Sequence, residues 1–166
     1  KTGMVNWEAK QRCPELILVP PQYDQYLKYS KMAHQIYYRY TDLVEPFGMD
    51  ECWLDMTGSG AFGTGMEIAE KIRTACREEL GLTVSIGVSF NKIFAKLGSD
   101  MKKPDAVTCI TESDFREKIW HLSASEMLGV GPSTYRALEK RCIRTIGQIA
   151  RTPPGYLRTR LGKNGE

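Results

Sequence analysis

The pattern of apolar residues changes near residue 112 of this 166-residue chain, and that change constrains the fold more than any other feature. Before it, short apolar runs alternate with amphipathic segments in the order β-α-β-β-α-β-α-β. After it, short helical patterns are separated by glycines and by Pro153-Pro154. The predicted strands are 15–19, 43–47, 52–56, 83–88 and 106–110, and the predicted helices before the boundary are 23–40, 66–80 and 91–101.

This order predicts an α+β fold. We expect a mixed or antiparallel sheet of the split βαβ, ferredoxin-like kind, with helices on one face. A small all-helical unit should follow it from about residue 113. Ser89 is the expected N-cap of the helix at 91–101, and Gly81 is the expected end of the helix at 66–80.

Composition excludes several classes of protein. Apolar residues make up 42% of the chain and charged residues 26%, which is the balance of a folded globular protein. No apolar run approaches the roughly 18 residues that a membrane helix needs, and none stands at the N-terminus, so we expect a cytoplasmic protein. The five cysteines form no C-x-x-C pair, and only two histidines are present, which argues against a zinc site.

Charge is distributed unevenly along the chain. The residues from Val130 onward carry a net charge of +6, whereas residues 1–129 carry −3. A basic end beside an acidic body is typical of a module that binds a polyanion such as nucleic acid. A solvated helical surface is the alternative that the charge alone leaves open.

Asp50 and Glu51 form an acidic pair at the predicted corner between two strands, and Asp55 follows closely. Adjacent carboxylates repel each other unless a cation neutralises them. Hard oxygen ligands suit Mg²⁺, which in turn suits phosphates. A metal site at the corner and an ordinary acidic turn both fit this pattern.

Two further segments could contact phosphate. In helical register, Lys92, Lys96, Ser99 and Lys103 share one polar stripe. The segment Gly129-Val130-Gly131 precedes a helical pattern and resembles a helix-hairpin-helix, in which exposed backbone N–H groups hold a DNA phosphate without reading a base. Arg136 and Lys140 lie just behind this hairpin.

Taken together, these three motifs resemble those of the Y-family (translesion) DNA polymerases. The resemblance rests on segments 49–55 and 87–96, on Lys103-Pro104 and on 128–131, in matching order. It implies a remnant of the fingers and the entry to the palm at 1–20, a catalytic palm at 21–112 and a truncated helix-hairpin-helix thumb at 113–166. The family usually has a serine where this chain has Gly48.

The resemblance also implies the chemistry. Asp50 and Glu51 would be catalytic ligands of two Mg²⁺ ions, with Mn²⁺ able to substitute, and Lys103 would contact the triphosphate of the incoming nucleotide. Gly129, Val130, Gly131, Arg136 and Lys140 would bind DNA. The expected partners are primer-template DNA, a dNTP and a sliding clamp that binds beyond residue 166. We expect the fragment to be inactive alone, because the family's first catalytic aspartate and fingers motif precede this segment.

Two other functions stay open on the sequence. A non-catalytic DNA-binding helix-hairpin-helix scaffold would make Asp50 and Glu51 an ordinary acidic turn. An enzyme like the nucleotidyl cyclases would share the palm and the paired carboxylates, but it would not explain the basic C-terminal hairpin.

Overall fold

The computed structural model describes residues 3–165, so Lys1, Thr2 and Glu166 of the predicted divisions lie outside the described residues. Helices and short strands follow one another in the mixed α+β pattern that the sequence predicts. The strands are β1 (Val44–Phe47), β2 (Glu51–Leu54), β3 (Ile86–Ser89) and β4 (Val107–Ile110). The helices are α1 (Asn6–Arg12), α2 (Tyr23–Tyr37), α3 (Gly65–Leu80), α4 (Lys92–Met101), α5 (Phe115–Ile119), α6 (Pro132–Glu139), α7 (Ile146–Arg151) and α8 (Pro154–Leu161).

The four strands form two separate pairs rather than the single mixed sheet that was predicted. β1 and β2 pair antiparallel, with Phe47 opposite Glu51, and β3 and β4 pair in parallel, with Gly87 opposite Thr108. Within residues 3–165 no strand joins the two pairs. The two pairs are instead connected by α4, which packs on β3 and β4 and contacts β1 and β2 through its lysines.

The predicted strand at 15–19 is wrong. These residues adopt no regular structure, and Ile17 is 83% exposed and Val19 75% exposed. A strand needs a neighbour to take up its backbone hydrogen bonds, and no described strand lies beside this segment. An apolar run alone therefore could not decide its conformation.

Two buried clusters form the core of the mixed α+β part, and the second extends beyond residue 112. Ile36, Ile68, Ile72 and Cys76 pack α2 against α3 beneath β1 and β2. The second cluster joins Leu97 of α4 and Ile110 of β4 to Ile119 of α5 and Ile146 of α7. The core is thus continuous across the predicted boundary near residue 112, and the division into palm and thumb stays a prediction.

The C-terminal helices have a small core of their own. Ala124, Leu138, Ile143 and Leu157 are buried together between α6, α8 and the short 3₁₀ turn Ala124–Glu126. Each of these helices is six to eight residues long, so packing rather than intrinsic helix propensity must stabilise it. In the part of the chain that the structure describes, no helix is long and apolar enough to cross a membrane.

A close backbone contact fixes α4 on β3. A Cβ atom on Gly87 would lie 1.8 Å from the carbonyl oxygen of Ala95, so only glycine allows the helix to approach this strand. A Cβ atom on Gly98, on the facing side of α4, would lie 3.3 Å from the Gly87 Cα. This contact sets where the lysines of α4 stand relative to β2.

The N-cap of α4 is Asn91, not Ser89 as predicted. The Asn91 Oδ1 accepts a hydrogen bond from the Phe94 N–H at 2.9 Å. Ser89 is the last residue of β3, and its hydroxyl donates to the carbonyl of Ile110 at 2.8 Å. The serine therefore ties β3 to β4 instead of capping the helix.

Candidate active site

The acidic pair stands at the turn between β1 and β2, as the sequence predicts. Asp50 is exposed in the turn and Glu51 is the first residue of β2. Gly48 opens the turn with a φ of +85°, a left-handed conformation that favours glycine. A serine at this position would be strained in this turn.

Helix α2 supports the turn from behind. The Ser30 hydroxyl donates to the carbonyl of Met49 at 2.5 Å. The carbonyl of Ser30 lies 2.8 Å from the Nδ1 of His34, one helical turn further along. The hydrogen bond from the Ser30 hydroxyl to Met49 fixes the peptide that directly precedes Asp50.

Lys96 connects the acidic turn to α4. Its ammonium lies 3.1 Å from Glu51 Oε1 and 2.8 Å from Asp100 Oδ2, and its side chain is only 18% exposed. Partial burial alone would lower the pKa of Lys96, but the hydrogen bonds to Asp100 and Glu51 outweigh it and raise the pKa. Lys96 therefore stays charged beside Glu51.

Lys103 is joined to the same network but is not on the helix. α4 ends at Met101 and Lys102 is extended, so the predicted helical stripe stops before Lys103. The Lys103 ammonium instead lies 2.6 Å from Asp100 Oδ1. Partial burial would raise the pKa of Asp100, yet its bonds to Lys103 and Lys96 hold that pKa below its ordinary value.

Lys92, the first lysine of the predicted polar stripe, contacts β1 and β2 rather than the acidic pair. Its ammonium pairs with Glu45 of β1 and stands 5.1 Å from the centre of the Trp53 ring. The indole N–H of Trp53 donates to the Lys92 carbonyl at 3.1 Å. These contacts attach the start of α4 to β1 and β2.

Asp55 does not join the acidic pair. It lies just after β2 and accepts hydrogen bonds from the N–H and hydroxyl of Thr57, at 2.9 and 2.7 Å. These two bonds lower its pKa, but they direct the carboxylate toward the following loop. Asp55 is therefore a turn residue in this structure.

The pair fits part of a divalent-metal site. Asp50 is an exposed hard carboxylate that makes no ion pair with residues 3–165, and Glu51, half-buried at the start of β2, pairs with Lys96. Those same residues contain no cluster of three or more His, Cys, Asp or Glu side chains placed to hold a metal. Asp50 and Glu51 would thus supply two donors, with others required from elsewhere.

The glycine hairpin is exposed at Gly129, but the backbone N–H of Val130 is already bonded within the chain. Gly129 has a φ of +88° and is exposed, the Val130 N–H donates to the Met127 carbonyl at 3.0 Å, and Gly131 is the N-cap of α6. Arg136 and Lys140 are both exposed at the other end of α6. The hairpin thus leads directly into α6, and the two basic residues lie at the far end of that helix.

Sequence reasoning missed the role of Asp100 and the full role of Lys96. Both are polar residues of α4 at i and i+4, a spacing that predicts an ion pair on a helix. That spacing was the available signal. The link from Lys96 to Glu51 spans 45 residues and depends on how α4 packs, so no local sequence signal indicates it.

Comparison with known proteins decides the family. The impB/mucB/samB family profile matches residues 1–100, well over half of the chain. The chain belongs to the impB/mucB/samB family. This confirms the resemblance to Y-family polymerases drawn from the sequence.

Relatives in this family are named as polymerases. The chain is 55% identical over 166 residues to the DNA polymerase IV of Acetivibrio thermocellus, covering 99% of this chain and 42% of that protein. The chain therefore spans less than half of the length of that curated relative.

Solved structures of the family agree with the fold. A Y-family DNA polymerase chimera of Dbh and Dpo4 superposes with a TM-score of 0.87 at 30% identity, covering 98% of this chain and 48% of that chain. An insertion ternary complex of Dbh DNA polymerase gives the same TM-score, identity and coverage. The α+β architecture is thus that of the corresponding half of a Y-family polymerase.

Proposed function

We propose that this chain forms the palm and thumb of a template-directed DNA polymerase of the translesion type. Such an enzyme transfers nucleotides from dNTPs to a primer 3′-hydroxyl during DNA damage tolerance. The observation that carries the proposal is the network from Glu51 through Lys96 and Asp100 to Lys103. It joins the acidic turn to the proposed triphosphate lysine, two motifs that are far apart in sequence.

In this proposal, Asp50 and Glu51 hold divalent metal, with Mg²⁺ as the expected ion and Mn²⁺ as its substitute. When bound, two such ions activate the primer hydroxyl and neutralise the triphosphate and the departing pyrophosphate. Lys103 binds the triphosphate as a positive point charge. Lys96 keeps Glu51 in place at the start of β2.

The C-terminal part would hold the DNA. Its net charge of +6 from Val130 onward supports contact with a phosphate backbone. Gly129 and Gly131 would offer backbone N–H groups to one phosphate on either side of Val130, whose own N–H stays bonded to the Met127 carbonyl, while Arg136 and Lys140 add charge close by. Since the proposed partner is DNA, the enzyme would work in the cytoplasm, and the sliding clamp stays a prediction.

Divalent-metal binding tests the acidic pair. Mn²⁺ binding, followed by electron paramagnetic resonance, should weaken at least about tenfold in Asp50→Asn, a loss of about 1.4 kcal/mol. Asp42→Asn is the matched control, since Asp42 is an exposed carboxylate eight residues earlier. Equal binding by the wild type and Asp50→Asn would refute the metal site and favour the DNA-binding scaffold.

Primer extension tests the reaction. Because residues 3–165 bring together only two of the required carboxylates, we propose that the 166-residue chain alone does not extend a primer. The polypeptide that the gene encodes should extend it with Mg²⁺ and dNTPs, and Asp50→Asn should abolish this. Robust extension by the 166-residue chain would contradict this proposal, because it would show that the chain alone holds every carboxylate that the metal site requires.

A further inference from the structure

Asp100 stands at the centre of the charged network. Its two carboxylate oxygens face different lysines: Oδ2 lies 2.8 Å from Lys96 and Oδ1 lies 2.6 Å from Lys103. Lys96 in turn reaches Glu51 at 3.1 Å. The Asp100 carboxylate thus lies between two cations. One is Lys96, beside the proposed metal ligand Glu51, and the other is Lys103, which is proposed to bind the triphosphate.

The helix itself gives no reason for an aspartate at this position. Asp100 lies in the last turn of α4, where the negative end of the helix dipole makes a carboxylate unfavourable. The pair with Lys96 also has the lysine N-terminal to the acid, which is the weaker orientation of an i, i+4 pair. The advantage of Asp100 must therefore come from the two lysines that it holds.

Removing the Asp100 charge would leave two ammonium groups close together. Lys96 is only 18% exposed, so water screens its charge poorly. Its ammonium would therefore repel the ammonium of Lys103. Lys103 is 53% exposed and would be free to turn toward solvent. The ammonium proposed to meet the triphosphate would then no longer be preorganised.

We propose that Asp100 is a positioning residue for nucleotide binding, which keeps Lys103 oriented toward the incoming triphosphate and separates it from Lys96. The inference rests on the proposed function, because the triphosphate role of Lys103 is part of it. Asp100 acts through Lys103 and does not itself contact the nucleotide.

The test is a double-mutant cycle on nucleotide binding. The probe is a fluorescent deoxynucleoside triphosphate, bound by the gene-encoded polypeptide in EDTA and again in Mg²⁺. Asp100→Asn should weaken its binding about tenfold, and Lys103→Ala should weaken it to a similar extent. The double variant should lose little more than either single variant, since both remove the same contact.

Two controls separate positioning from general damage. Glu70→Gln removes a carboxylate from a comparable helix ion pair, Glu70–Arg73 in α3, and should leave nucleotide binding unchanged. Asp100→Glu should restore much of the binding, and thermal melting should show that each variant is folded. In primer extension, Asp100→Asn should raise the KM for dNTP about tenfold with a smaller change in kcat.

The outcomes distinguish this inference from the proposed function. If Lys103→Ala weakens nucleotide binding and Asp100→Asn does not, the positioning role is wrong and the polymerase proposal stands. Additive losses in the double variant would also overturn the positioning role. If neither variant changes binding, the triphosphate role of Lys103 fails, and this inference fails with it.

Discussion

Replacing Gly87 by alanine should push α4 away from β3 and break the ion pair between Lys96 of α4 and Glu51 of β2. The added Cβ would lie 1.8 Å from the Ala95 oxygen and 2.7 Å from the Ser99 nitrogen, both backbone atoms that cannot rotate away. Normal contact requires about 3.5 Å, so the helix would have to move by roughly 1.7 Å. A shift of that size would separate Lys96 from Glu51.

The expected cost is at the upper end of the range for overpacking, about 3 kcal/mol, because the clash involves backbone on both sides. For a chain of this size, that corresponds to a drop in melting temperature of about 6–12 °C. Thermal and urea unfolding followed by circular dichroism measure it. Mn²⁺ binding by the folded variant should also change, since Glu51 loses its partner.

Two glycine variants serve as controls for this reasoning. Gly58→Ala adds a Cβ that meets nothing within 4 Å and should leave stability unchanged. Gly98→Ala places its Cβ 3.3 Å from Gly87, a small strain that the gain in helix propensity of about 1 kcal/mol should offset. If Gly87→Ala melts within about 2 °C of the wild type, the close contact does not fix α4 and the argument is wrong.

Two further predictions concern pH and salt. Burial, with a smaller contribution from Cys76, raises the pKa of Cys52 from 9.0 to about 11. The contribution of the protonated Cys52 thiol to the free energy of unfolding is therefore complete below pH 9 and is lost as the pH rises to 11. Urea unfolding should show this fall and Cys52→Ala should reduce it; a variant that keeps the full fall would contradict the assignment. Replacing both Arg136 and Lys140 by glutamine should make the negative slope of log K against log salt for duplex DNA shallower by about 2. Replacing Lys10 and Lys28 is the charge-matched control, and an equal change in slope there would refute a specific phosphate contact.

Local sequence signals predicted the elements whose ends are encoded nearby. Helix α3 was expected at 66–80 and is found at Gly65–Leu80. Thr64 and Glu67 form a reciprocal capping box at its start, and Gly81 ends it in the left-handed conformation. These signals lie within a few residues of the helix, so no knowledge of the tertiary structure was needed.

Features that depend on a distant partner could not be predicted in the same way. The apolar run at 15–19 has the composition of a strand but pairs with no described strand. The sequence pattern places Lys103 on a helical stripe, yet α4 ends at Met101 and Lys102 is extended. In both cases the local pattern was real, and the surrounding chain decided how it was used.

The candidate site shows why these two kinds of information must be combined. The neighbouring carboxylates Asp50 and Glu51 are visible in the sequence, but two acids alone fit a solvated turn as well as a metal site. The tertiary structure adds the partly buried ammonium of Lys96, which Gly87 allows α4 to bring within 3.1 Å of Glu51. This ion pair holds Glu51 in one orientation, and the proposed metal site would use that orientation. The small residue in β3 is therefore as much a determinant of the site as the charged residues that form it.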